Sequence, residues 1–206
     1  MSRLEAALRA IVGDLSVFGV PCALVGGLAV SARTEPRFTR DIDLAVAAGT
    51  DREAETIVNR LLGRGYSVLA SLEQTAVNRL ATVRLRAAGE PPEGVVVDLL
   101  FASSGIEREI VAQADALEVA AGLVIPVARL GHLLALKLLA RDEDRRPQDD
   151  QDLAGLMAVA SDSDIAELRA AIGLIGSRGF HRDKDLGAEL TALMTRFRRT
   201  PVRSES

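Results

Sequence analysis

Apolar positions recur at helical intervals at the start of the chain. Leu4, Leu8, Ile11 and Leu15 fall on one face, predicting a helix over residues 3–17. Gly19 and Pro21 end it. The apolar run Cys22–Val25 is short enough for a strand. It breaks at Gly26 and Gly27 and resumes as LAVSA, a short helix. A polar loop from Arg33 to Arg40, containing Pro36, leads to a strand over residues 40–46. Thr50 with Glu53 is a capping-box pattern. It opens a helix with Ala54, Ile57, Val58, Leu61 and Leu62 on its apolar face, closed by Gly63 and Gly65.

Strands are then expected at residues 66–70, 79–86 and 95–102, the last two joined across the turn-rich stretch Ala88–Gly94. Ser104 with Glu107 suggests another capped helix, to about Ala116. A short strand follows at residues 124–127, and Pro126 favours a place at the sheet edge. From Arg129 onward the pattern is helical: LGHLLALKLLA, RRPQDDQDLAGLMAVA, residues 164–174 and residues 186–197. The expectation is an α/β (α+β) chain: a mixed-sheet core over residues 1–128 and a C-terminal helical region over 129–206, packed directly on it.

Composition narrows this. With 206 residues, 48% hydrophobic, 26% charged and net charge −4, the chain fits one globular domain with a small appendage. No apolar run reaches the roughly 18 residues of a membrane span, and the N-terminus is amphipathic rather than a secretory leader. A cytoplasmic location is expected. Cys22 is the only cysteine, which excludes an intramolecular disulfide and a cysteine-rich zinc site. Basic residues gather late, at Arg178, Arg182, Lys184, Arg196, Arg198, Arg199 and Arg203. They form either a solvated face or a contact for an RNA backbone. Aromatics are 3% of residues, poor provision for base stacking.

The candidate chemistry lies in acids placed within apolar strands. Asp41 and Asp43, two apart on a strand, point to one face. Asp98 sits in VVVDLLFA, where an ionised carboxylate is costly unless paired, hydrogen-bonded or metal-bound. If the two strands are neighbours, three acids converge and raise one another's pKa, and a divalent cation relieves this. Taken singly, Asp41 could pair with Arg40, and Asp98 with Arg84 or Arg86. A strand, a glycine turn and a helix N-terminus at Gly26-Gly27 together make an anion site.

Gly26-Gly27, a gap of thirteen residues, Asp41-Ile42-Asp43 and the later Asp98 resemble the minimal nucleotidyltransferases of the DNA polymerase β superfamily. Arg37, Thr39, Asp41 and Asp43 resemble the narrower Arg-x-Thr-x-Asp-x-Asp form of the AbiEii-like group, which includes toxins of abortive-infection and toxin–antitoxin systems. The resemblance implies a polymerase-β-type core. It implies that Gly26 and Gly27 hold a triphosphate and that Asp41 and Asp43 bind magnesium, two ions being expected. Asp98 would complete the metal site or accept the acceptor's proton. A second motif agrees. Lys137 stands alone in a leucine-rich helix, and Arg146, Pro147, Asp149, Asp152 and Leu153 follow as Arg-Pro-x-Asp-x-x-Asp-Leu. Lys137 suits a phosphate, although acids near a helix N-terminus also simply favour the dipole. The catalytic candidates are therefore Asp41, Asp43, Asp98 and Lys137. The nucleotide-binding candidates are Gly26, Gly27, Arg37, Thr39, Lys137 and Asp149. His132 reads as structural.

The expected activity is metal-dependent transfer of NMP from an NTP to a hydroxyl acceptor. A tRNA is the first acceptor to consider and a partner protein, as in AMPylating antitoxin-type relatives, the second. A cognate antitoxin is an expected partner. The competing classes are a non-catalytic nucleotide-binding module and a sugar-modifying relative.

Overall fold

A computed structural model describes residues 2–75, 77–141 and 147–197. The first helix, α1 (Arg3–Val17), is capped by Ser2, whose hydroxyl accepts from Glu5 N–H while Glu5 bonds back to Ser2 N–H. Strand β1 (Cys22–Val25) runs straight into α2 (Gly26–Arg33), so the helix takes in both glycines instead of starting after them. Next come β2 (Asp41–Val46), α3 (Asp51–Leu62), β3 (Ser67–Gln74), β4 (Arg79–Arg86) and β5 (Val96–Leu100). After α4 (Glu107–Gln113) come β6 (Asp115–Ala120) and β7 (Leu123–Val127). The helices α5 (Leu130–Ala140), α6 (Pro147–Val159), α7 (Asp162–Ser177) and α8 (Leu186–Arg196) complete the described chain.

The seven strands form one mixed sheet in the order β3-β4-β5-β2-β1-β7-β6. β2 is antiparallel to β1 and parallel to β5. The alternation expected of β2 is present: Ile42 and Leu44 are buried in the core while Asp41 and Asp43 face the other way. Helices α1 and α4 pack on β2, α3 packs on β4, and α2 lies on β1 and β2 while also touching α5 and α6. α5 is buried on nearly every side, with Leu133, Leu134, Leu138 and Leu139 in the core and α6, α7 and α8 around it. Among the described residues no helix is long and apolar enough to cross a membrane.

Four local expectations change. Residues near 116 are not helical: α4 stops at Gln113, and Asp115–Ala120 pairs with β7 as a hairpin. The polar residues of DALEVA left this strand without a strong apolar signal. Pro126 does not mark an edge, because β7 lies between β1 and β6. Its contact with β1 comes down to the pair Leu24–Val127, so the missing N–H falls just outside that pairing. Ser104 is not an N-cap: Ile106 holds that place, and the Glu107 carboxylate instead accepts from Ser104 N–H and Oγ–H at 2.6 and 2.8 Å. The Thr50 capping box is half formed, since Glu53 reaches Gly49 N–H at 2.6 Å.

The basic C-terminal residues act mainly as staples. Arg178 pairs with Glu109 at 2.6 Å, Arg196 with Asp150 at 3.0 Å, and Arg182 donates to Ser103 at 2.9 Å. Lys184 donates to the Arg141 carbonyl at the end of α5. Arg198, Arg199 and Arg203 lie outside the described residues.

Leu134 is fully buried at the centre of α5. Replacing it with alanine is expected to lower stability by about 2–5 kcal/mol, read as a fall in the urea midpoint without a change in slope.

Candidate active site

The registers of three strands build the site. Asp43 is opposite Val25 on β1 and directly opposite Asp98 on β5, while Arg84 on β4 is opposite Asp98 on its other side. Asp41 is two residues from Asp43 on the same face of β2. The three acids expected to converge do so. A cleft of about 700 Å³ opens over them, and Gly26, Gly27, Arg37, Thr39, Asp41, Asp43, Asp98, Lys137 and Asp149 all line it. All nine catalytic and nucleotide-binding candidates thus face one cavity, while Asp152 does not line it and Arg146 lies outside the described residues.

Gly26 is required for a reason the sequence did not show. Gly26 has φ +63°, and a Cβ there would stand 2.0 Å from Asp43 Oδ2. A Cβ on Gly27 would stand 2.8 Å from an Arg37 nitrogen and 3.0 Å from Thr39 Oγ1. The gap left by the missing side chains is filled by the protein's own polar groups, which are thereby drawn against the start of α2. α2 has no side-chain cap, so its first N–H groups are left for another acceptor.

Each acid sits in a different electrostatic setting. Arg84 grips Asp98 through both oxygens, at 2.8 and 2.6 Å, so the pairing alternative for Asp98 is realised with Arg84. Asp98 in turn raises the Arg84 pKa. Burial first, then Asp98 and Asp41, push Asp43 up to about 6, against the opposing pull of Lys137 and Arg84. Arg40 lies over the Phe38 ring at 5.3 Å. Arg33 turns away from the cleft to Asp115 at 2.7 Å, joining α2 to β6.

Among the described residues, no three acid or histidine side chains are grouped closely enough to hold a metal ion unaided. The donor set still fits magnesium, which commonly takes one or two carboxylates and completes its shell with water and substrate phosphates. Asp41 and Asp43 supply two carboxylates, and the Asp43 pKa is raised by burial first and then by Asp98 and Asp41, a cost to its ionised form that a cation would offset.

The basic side of the cleft is a network. Lys137 Nζ lies 2.9 Å from Asp149 Oδ1 and 2.7 Å from Asp152 Oδ2. Arg37 Nε lies 2.6 Å from Asp152 Oδ1. The acids of α6 therefore do more than favour the helix dipole, and Asp149 reaches the cleft as the partner of Lys137. His132 is buried among leucines, and burial lowers its pKa, which fits a structural role. Sequence reasoning missed Ser103, Ser104 and Arg182 in the cleft wall. Arg182 has φ +54° in the turn before α8, and no spacing in the sequence points to it.

One solved structure shares this architecture. A crystal structure of an antigenic nucleotidyltransferase-like protein from Paracoccidioides brasiliensis is 17% identical, covering 92% of this chain and 93% of that one with a TM-score of 0.54. The solution structure of the antibiotic-resistance factor ANT(2'')-Ia is 18% identical over 94% of this chain and 92% of that one, with a TM-score of 0.49. The nucleotidyltransferase toxin MenT4 of Mycobacterium tuberculosis is 19% identical over 79% of this chain and 62% of that one, with a TM-score of 0.43. No curated protein sequence matches. The fold is that of the polymerase-β-like nucleotidyltransferases. The family model for the nucleotidyl transferase AbiEii toxin of type IV toxin–antitoxin systems matches residues 8–204, and the chain belongs to that family. It is a nucleotidyltransferase.

Asp43 gives a pH test. Its folded pKa is about 6, above the ordinary value of 3.8, so the folded state binds the proton more tightly than the unfolded chain. Ionising it destabilises the fold, an effect absent below pH about 4 and complete above pH about 6. Asp43→Asn is therefore expected to raise the melting temperature of the metal-free protein at pH 8, with the gain shrinking toward zero at pH 4.

Proposed function

We propose that this protein is a metal-dependent toxin that moves NMP from an NTP to a hydroxyl of an acceptor, tRNA first, in the cytoplasm. The observation carrying this reading is that one cleft brings carboxylates from β2 and β5 together with Arg37 and Lys137. The acceptor hydroxyl attacks the α-phosphorus, the bond to the bridging oxygen breaks, and pyrophosphate leaves with its electron pair. Positioning and charge neutralisation carry most of the rate in such a displacement.

Asp41 and Asp43 would hold magnesium, with two ions as the expected number, and the metal would neutralise charge on the phosphates and the attacking oxygen. Asp98 is held by Arg84, so its service as a further ligand or as proton acceptor involves exchange of that ion pair. The uncapped N-terminus of α2 at Gly26 and Gly27 offers N–H groups to a phosphate. Arg37 and Lys137 bring positive charge to the outer phosphates, Thr39 brings a hydroxyl, and Asp149 orients Lys137. Family membership implies an antitoxin partner.

The test incubates the protein with α-labelled NTPs, magnesium and total RNA or lysate protein. Label is expected to pass to the RNA fraction, and to fall by about 100-fold or more in Asp41→Ala and Asp43→Ala or on chelation of the metal. Label on protein alone would move the acceptor to a partner protein. Transfer no greater than that of the two variants would sink the catalytic reading.

A further inference from the structure

Arg37 and Lys137 come from separate elements, the segment before β2 and the middle of α5, yet they share one carboxylate. Arg37 lies 2.6 Å from Asp152 Oδ1 through Nε and donates to Oδ2 at 2.7 Å through a terminal nitrogen. Lys137 Nζ reaches the same Oδ2, also at 2.7 Å. Asp152 is 2% exposed and is not part of the cleft wall, whereas both cations are. It stands behind them.

That placement answers a problem set by the site. The cleft holds Asp41, Asp43 and Asp98 on one side and two long, mobile cations on the other. Lys137 is already close enough to lower the Asp43 pKa. Without an anchor, either cation could fold onto Asp41 or Asp43, neutralising those carboxylates and withdrawing itself from a phosphate. Asp152 prevents this by stereochemistry as well as charge. Asp149 accepts a hydrogen bond from Lys137 and Asp152 lies in ion-pair contact with it, so Nζ is held between two acids of α6. Arg37 is turned toward Asp152 by the hydrogen bond from its terminal nitrogen, with Nε in ionic contact beside it.

We propose that Asp152 is a positioning residue that joins Arg37 and Lys137 into a two-cation clamp for the phosphates beyond the α-phosphate of the bound NTP. The clamp rests on the nucleotidyl-transfer reading. It adds to that reading a buried acid that touches neither substrate nor metal, and whose loss is felt through the two cations.

The opposite role gives the opposite sign. If Asp152 merely competed with phosphate for the cations, removing its charge would strengthen NTP binding. The experiment measures dissociation constants by calorimetry, with magnesium, for each of the four common ribonucleoside triphosphates and its monophosphate. Asp152→Asn is expected to weaken triphosphate binding by roughly tenfold or more, the scale of one charge-assisted hydrogen bond, and monophosphate binding by less than about twofold. In an Arg37→Met/Lys137→Met background the same substitution is expected to add less than about twofold, because the residues through which it acts are gone. Unchanged or tighter triphosphate binding, equal weakening of both ligands, or a full effect in the double-variant background would each overturn the proposal. If Asp152→Asn fails to fold, Asp152→Glu carries the same test, its longer arm displacing both cations. A wild-type protein that does not prefer triphosphate over monophosphate overturns the nucleotidyl-transfer reading and the clamp together. Failure in the variants alone overturns only the clamp.

Discussion

The parallel pairing of β2 with β5 is the constraint on which the site depends. It sets Ile42 against Val97 and Leu44 against Leu99, all buried, and in doing so sets Asp43 against Asp98. The apolar pairs fix the register, because a slip of one residue would turn carboxylates into the core. The acids are thus held together by hydrophobic burial on the opposite face of the same strands. The burial of Asp43 and then its repulsion by Asp98 and Asp41, which together raise its pKa, are costs that the core offsets.

The remaining features of the cleft follow from that crowding. Arg84 is placed by the β4–β5 register to neutralise Asp98. Glycine at position 26 gives Asp43 the room it needs beside α2. On the far wall α6 keeps two cations facing the acids without letting them merge. The cleft therefore holds separated charge at rest, the arrangement suited to a ligand that carries phosphates and a divalent cation together.

Much of this could be read in the sequence, for identifiable reasons. Asp41 and Asp43 stand out because acids in an apolar strand need a cause, and the two-residue spacing fixes their common face. The strands bearing them are strongly apolar, so β2 and β5 are found within a residue or two. What could not be read was partnership. Nothing local says that Arg84 rather than Arg86 faces Asp98, since that depends on hairpin register. Nothing says that Asp152 reaches back to Arg37, 115 residues earlier in the chain. β6 was hidden because DALEVA is half exposed and has little apolar contrast. Pro126 was misread as an edge signal because the narrow contact between β1 and β7 is a tertiary fact. Arg182 reaches the cleft from a left-handed turn that has no glycine to announce it.

The acidic first turns of α6 make the helix a matter of phase. Asp149 and Asp152 point toward Lys137 and Arg37, while Asp150 points toward Arg141 and Arg196. An α-helix turns about 100° per residue, so one inserted or deleted residue within this turn would swing the downstream acids to the wrong partners. The segment can thus vary in many side chains but not in length. Insertions that a surface helix would absorb are barred here by the angular bookkeeping of its ion pairs.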